Sequence, residues 1–135
     1  MKKFLLIAFI FIASQEALAA GGAACGDYGE CDSFSPELNN LESLQLGALT
    51  FINHCYGCHS LKYSRWGRVA QDLEIPEGIF TDNLVFGSNV QLGDRMTGSM
   101  KSEVSETWFG IAPPDLTLVT RLHGSDWVYT YLRTF

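Results

Sequence analysis

Apolar residues in this chain fall into one unbroken run, one helical stripe and a few short aromatic blocks, separated by polar, glycine-rich stretches. The run is Phe4 to Ala13 (FLLIAFIFIA), preceded by Lys2 and Lys3 and followed by Ala17-Leu18-Ala19. A charged start, a short apolar core and a small-x-small end are the parts of a secretory signal, so residues 1–19 read as a signal peptide and the mature chain starts at Ala20. A retained N-terminal anchor is the rival reading, but ten apolar residues fall short of the roughly 20 that a helix needs to cross a bilayer. No other segment is long and apolar enough to span a membrane.

Residues 20–40 are small and polar at first, and read as a loose or extended N-terminal segment. A helix is predicted from Pro36 or Ser43 to Cys55, because Leu41, Leu44, Ala48, Ile52 and Cys55 recur at spacings of three and four. Cys55 then sits at the helix's C-terminal end, on its buried face. Gly47 inside this helix costs about 1 kcal/mol against alanine, which a close approach by another backbone would justify. Residues 60–73 suggest turns and a short helix, with Lys62, Arg65 and Arg68 as local positive charge. Residues 76–102, rich in Gly, Asn, Asp and Ser, read as loops. Prolines hold residues 111–116 (IAPPDL) extended. A last helix starts near Ser125 as N-cap and carries Trp127, Tyr131 and Phe135 on one face.

A chain of 135 residues suits one small domain, and 47% hydrophobic with 18% charged residues argues against disorder. The formal charge is −6; without Lys2, Lys3 and Glu16 it becomes −7. An acidic surface disfavours nucleic acid and favours a basic partner, chiefly by raising encounter rates, and it also keeps a domain soluble. The four cysteines form two pairs. Cys25 and Cys31 flank GDYGE, a stretch that can close a disulfide loop in the oxidising space outside the cytoplasm. A lipid-modified Cys25 fits less well, since Gly22 stands where lipoprotein signals carry leucine.

Cys55-Tyr56-Gly57-Cys58-His59 is the c-type haem attachment pattern C-x-x-C-H. Two thiols add across the two vinyl groups of one porphyrin edge, two intervening residues span that edge in a tight turn, and the next residue's imidazole lies under the iron. Gly57 eases the turn. A redox dithiol and half of a zinc site are the rival chemistries, the latter completed by Cys25 and Cys31. The histidine in register, the export signal and the preceding amphipathic helix agree with one covalent haem c, with His59 as axial ligand. A second axial ligand is often methionine. Met96 and Met100 lie downstream, and Met100 is the candidate by bare spacing, although an ordinary loop methionine is the plainer reading. His54 and His123 are further candidates; His54, beside an attached cysteine, reads better as a solvent-facing or packing residue.

Leu44 to Arg68 (LQLGALTFINHCYGCHSLKYSRWGR), Gly93-Asp94-Arg95-Met96, Trp108 to Leu116 (WFGIAPPDL) and Ser125 to Phe135 (SDWVYTYLRTF) resemble, in order and spacing, the blocks of cytochrome c1 of the proteobacterial type. The resemblance covers about residues 40–135, and Cys25 and Cys31 fall outside it. It implies a haem subunit of the ubiquinol–cytochrome c reductase complex, which takes an electron from the Rieske iron–sulfur protein and gives it to a cytochrome c. By the same resemblance Cys55 and Cys58 attach the haem, His59 ligates the iron, Pro114 packs near the haem face, and Arg121 or His123 partners a haem propionate. The family usually has arginine where His123 stands. Its axial methionine and its C-terminal membrane anchor lie beyond Phe135, so the chain resembles the N-terminal half of the family.

The expected architecture is therefore mostly α, a class I cytochrome c-like domain (residues 41–135) of short helices and long loops around a covalent haem. The haem would fill much of a core that a domain of this size builds poorly alone. The expected function is outer-sphere electron transfer on the periplasmic side of the cell membrane, as a non-catalytic subunit beside cytochrome b. Two alternatives are a freestanding periplasmic c-type cytochrome with Met100 as ligand, and a module whose open sixth site takes a small ligand such as carbon monoxide or nitric oxide.

Overall fold

Asn40 starts the first helix, its side-chain oxygen accepting the Ser43 amide at 3.1 Å. In the computed structural model, which describes Cys25 and residues 29–134, this helix is α1, Leu41–His54. The expected signal peptide, residues 1–19, and Phe135 lie outside the described residues. The stripe read from the sequence faces inward: Ile52 is buried, and Leu41, Leu44, Ala48 and Cys55 are half-buried. Gly47 does not fit its expected role. A Cβ there would meet nothing within 4 Å, so no backbone approaches it and the glycine is a plain cost on the exposed face.

The chain then runs through β1 (Leu61–Arg65), α2 (Trp66–Asp72), α3 (Glu77–Leu84), β2 (Arg95–Met96), α4 (Ser102–Phe109), α5 (Val119–His123) and α6 (Ser125–Arg133). The molecule is thus helical, as expected, with one small antiparallel sheet in which Leu61 faces Met96 and Arg65 faces Arg95 across an irregular register. Helix α3 lies inside the stretch read as loops. Pro76 at its N-cap, with φ −53°, and Glu77 in its first turn are helix-start signals, but Gly78, Thr81, Asp82 and Asn83 hid them. The helix forms because Phe80 and Leu84, four apart, both bury. β1 is too short for alternation to show.

These elements enclose a core of Ile52, Tyr56, Trp66, Ala70, Phe80, Leu84 and Met96. The Trp66 ring meets Tyr56 edge-on at 4.9 Å and Phe80 at 6.2 Å. Met96 is only 1% exposed, which makes it a packing residue of this core. Among the described residues, no helix is long and apolar enough to cross a membrane.

Cys25 and Cys31 are disulfide-bonded. Closing so short a loop stabilises the fold by about 2 kcal/mol through the entropy it removes from the unfolded chain. The extended residues after it lie along α6. The Asp32 amide donates to Thr130 Oγ1 at 2.8 Å and the Phe34 amide to Asp126 Oδ1 at 2.9 Å, while the Phe34 ring stacks on Tyr129 at 4.8 Å. Arg133 also pairs with Asp32 at 2.8 Å, an exposed contact worth less than about 1 kcal/mol. Ser125 does not cap α6 with its side chain. Its hydroxyl donates instead to the Phe34 carbonyl at 3.4 Å, and Gly124 holds the cap position at φ 90°. Trp127 and Tyr131 share a face as expected, their rings stacked at 4.9 Å, and His123 stacks on Trp127 at 4.2 Å.

Candidate haem-attachment site

Helix α1 ends in the motif itself. Cys55 is its C-cap, with its amide bonded to the Phe51 carbonyl at 2.8 Å. The Cys58 and His59 amides then both donate to the Cys55 carbonyl, at 3.1 and 2.9 Å, which folds the five residues into one tight turn. Both thiols are free, Cys55 half-buried and Cys58 exposed. Tyr56 points the other way, into the core, where its hydroxyl donates to the Thr97 carbonyl at 2.6 Å and burial pushes its pKa up. His54 is exposed, as expected.

His59 Nδ1 lies 2.8 Å from the Pro114 carbonyl oxygen. A carbonyl can only accept, so Nδ1 carries the proton, and in the neutral ring Nε2 keeps its lone pair out of this contact. This is the tautomer and the orienting contact that a metal-ligating imidazole needs. The resemblance implied that Pro114 packs near the haem face; the contact shown is through its backbone carbonyl to the His59 ring.

The loop bearing Pro114 is held by Asp115. Its carboxylate accepts the Lys62 amide at 2.8 Å and the Thr117 amide at 3.1 Å, an Asx turn that also staples the loop to β1. The Leu116 amide adds a bond to the Ser60 carbonyl at 2.9 Å. Partial burial pushes the Asp115 carboxyl up, but the hydrogen bonds from Lys62 and Thr117 and the Lys62 charge outweigh it and hold the group below its ordinary value. A depressed folded pKa gives stability that is complete above the unfolded value near 4 and is lost as pH falls through the folded value. Asp115→Ala is therefore expected to cost about 1 kcal/mol at pH 7 and to flatten the acid limb of a melting-temperature series below about pH 4. An acid limb as steep as the wild type's would count against this role.

Arg121, on α5, is exposed, and among the described residues its side chain makes no hydrogen bond or ion pair. His123 is half-buried in its stack on Trp127. No hydrogen bond joins either to the Cys55–His59 turn. Met100 is half-buried, and its amide donates to the Gly57 carbonyl at 3.2 Å. Around Pro114 the chain leaves Trp108, Phe109, Ile111, Leu118 and Leu122 between 52% and 72% exposed. That much exposed apolar surface in one stretch of chain is surface that a ligand or a partner would cover.

The zinc alternative fails on two counts. Cys25 and Cys31 are bonded to each other, and among the described residues no three His, Cys, Asp or Glu side chains gather where they could hold a metal. The donor set that remains is two free thiols and one oriented imidazole on a single turn. It fits a porphyrin attached by thioethers. Sequence reasoning missed Asp115, Ser60 and Gly98 as parts of the site; only Asp115 left a signal, its place between Pro114 and Thr117 in an Asx-turn pattern.

No family model matches the chain. It is 46% identical over all 135 residues to cytochrome c1 of Allochromatium vinosum, covering 53% of that protein. It is also 37% identical over all 135 residues to the ammonia monooxygenase gamma subunit of Nitrosomonas europaea, covering 54%. The chain spans about half the length of the curated relatives it matches. The similarity to cytochrome c1 extends through the whole sequence, beyond the motif blocks that first suggested it.

Proposed function

We propose that the chain is the haem-attaching portion of a cytochrome c1, an electron-transfer protein of the respiratory chain that works on the periplasmic side of the cell membrane. The observation that carries this reading is the His59 Nδ1 bond to Pro114, made on the same turn as two free thiols. Cys55 and Cys58 would hold one haem c through two thioethers, the product of each S–H added across one vinyl C=C. The haem, when bound, supplies a one-electron iron couple. His59 offers Nε2 to the metal, the Pro114 carbonyl fixes the ring's orientation, and the apolar residues around Pro114 keep water from the porphyrin. Arg121 and His123 are the cations proposed for the propionates, because carboxylates held against protein need partners.

The proposed donor is the Rieske iron–sulfur protein and the proposed acceptor a cytochrome c, with cytochrome b as a neighbour in the complex; the acidic composition suits a basic acceptor. The name of the second relative points to ammonia oxidation. That reaction is not proposed for this chain, whose chemistry-bearing turn is built to hold a porphyrin.

Expression in a host with c-type haem attachment, followed by extraction with acidified acetone, tests the reading. The colour is expected to stay on the polypeptide, and rapid mixing with reduced Rieske protein is expected to reduce it. Protein that is colourless, or that bleaches in acid acetone, would overturn the assignment.

A further inference from the structure

The attachment turn is held from two sides. On one side stands the Pro114–Thr117 loop described above. On the other, the residues that follow β2 lie directly against the turn's backbone. The Gly98 amide donates to Ser60 Oγ at 2.8 Å, Ser99 Oγ to the Gly57 carbonyl at 3.3 Å, and the Met100 amide to the same carbonyl at 3.2 Å. Tyr56, inside the motif, reaches back to the Thr97 carbonyl. Every residue of Thr97–Met100 therefore bonds to a residue between Tyr56 and Ser60.

Two details show how closely the pieces fit. A Cβ at Gly98 would lie 2.9 Å from the Tyr56 carbonyl oxygen and 3.4 Å from both the His59 carbonyl carbon and Ser60 Oγ. The first contact is shorter than real Cβ atoms make, and it is to backbone, which cannot swing aside. Ser60, next to His59, joins both supports: its hydroxyl accepts from Gly98 and its carbonyl accepts from Leu116.

We propose that Thr97–Met100 is a buttress that sets the geometry of the Cys55–His59 turn for haem attachment, with Gly98 and Ser60 as positioning residues and the Met100 backbone as part of the support. The inference rests on the haem reading above. Thioether formation at both vinyl groups requires two sulfurs at a fixed separation on a turn that also aims His59. A turn that is displaced at its centre presents one sulfur well and the other badly. Met100 is tied by its own amide to the carbonyl between the two cysteines, which assigns its backbone to the attachment turn.

The test compares wild type with Gly98→Ala, Ser60→Ala and Ser60→Thr, each expressed as the full chain with haem-attachment machinery. The alkaline pyridine spectrum of reduced haem reads the number of thioethers, because the visible band moves to longer wavelength when a vinyl group stays unsaturated. Gly98→Ala and Ser60→Ala are expected to raise the singly attached fraction several-fold, and Ser60→Thr, which keeps the hydroxyl, to restore double attachment. If Gly98→Ala yields no soluble protein, the Ser60 pair decides. Double attachment unchanged in both Ser60→Ala and Gly98→Ala would overturn the buttress. Wild type without any covalent haem would overturn the haem reading itself, a distinct result.

Discussion

Cys55→Ala/Cys58→Ala is expected to carry no acid-stable haem, where wild type stains fully on a denaturing gel. Each thioether forms independently by addition of one thiol to one vinyl group, so the single variants are expected to keep one bond and a red-shifted pyridine spectrum. With both sulfurs gone, His59 is the remaining tie to the iron. A lone imidazole is displaced by acid, so any haem that binds is expected to leave entirely with acidified acetone. The effect reaches beyond colour. Ile111 and Leu122, on either side of Pro114 in the sequence, are each 72% exposed, apolar surface that a bound haem is expected to cover. Without that ligand the exposed surface favours self-association, and a protein of this size loses core it cannot otherwise supply. The double variant is therefore also expected to melt lower and to aggregate more readily than wild type. Acid-stable colour in the double variant would show attachment through some other residue and would end the assignment of these two cysteines.

The turn at Cys55–His59 was legible because its pattern is local. Five consecutive residues state both the thiol spacing and the imidazole's place, and the helix in front of them announces itself by its stripe. The partner that orients His59 was not legible as a partner. Pro114 stands 55 positions downstream, and its contribution is a backbone carbonyl, which every residue has. Gly98 shows the same limit. It reads as one more glycine in a polar loop, and only the approach to the Tyr56 carbonyl distinguishes it from Gly47, whose surroundings are empty. Helix α3 was hidden for another reason: its tertiary partners, through Phe80 and Leu84, overrule a composition that favours loops. The resemblance to cytochrome c1 supplied Pro114 and Arg121 as names. The fold shows what Pro114 does, and it places Arg121 and His123 on α5 without joining them to the turn.

Trp66→Ala is expected to cost about 3–5 kcal/mol, a large share of the roughly 5–15 kcal/mol that holds a domain of this size. The side chain is fully buried and lies between the Tyr56 and Phe80 rings, so its removal leaves a cavity that two aromatic neighbours cannot both fill. The same residue carries a fault. Among the described residues its Nε1–H is buried with no hydrogen-bond partner, a state that costs about 1–3 kcal/mol. Trp66→Phe removes that donor while keeping much of the ring, so the gain offsets part of the lost packing and the net loss is expected to stay below about 2 kcal/mol. Urea titration of the two variants checks this: both lack the indole N–H, so the difference between them reads the ring's packing, and a Trp66→Phe loss above about 2 kcal/mol would count against relief of an unpaired donor. The consequence for the site runs through Tyr56. That residue sits inside the attachment motif, yet its ring rests on Trp66 and its hydroxyl on Thr97. A cavity at Trp66 frees the inner anchor of the turn whose outer face carries the thiols. Trp66→Ala is thus expected to lower double haem attachment as well as stability, and Trp66→Phe to preserve it.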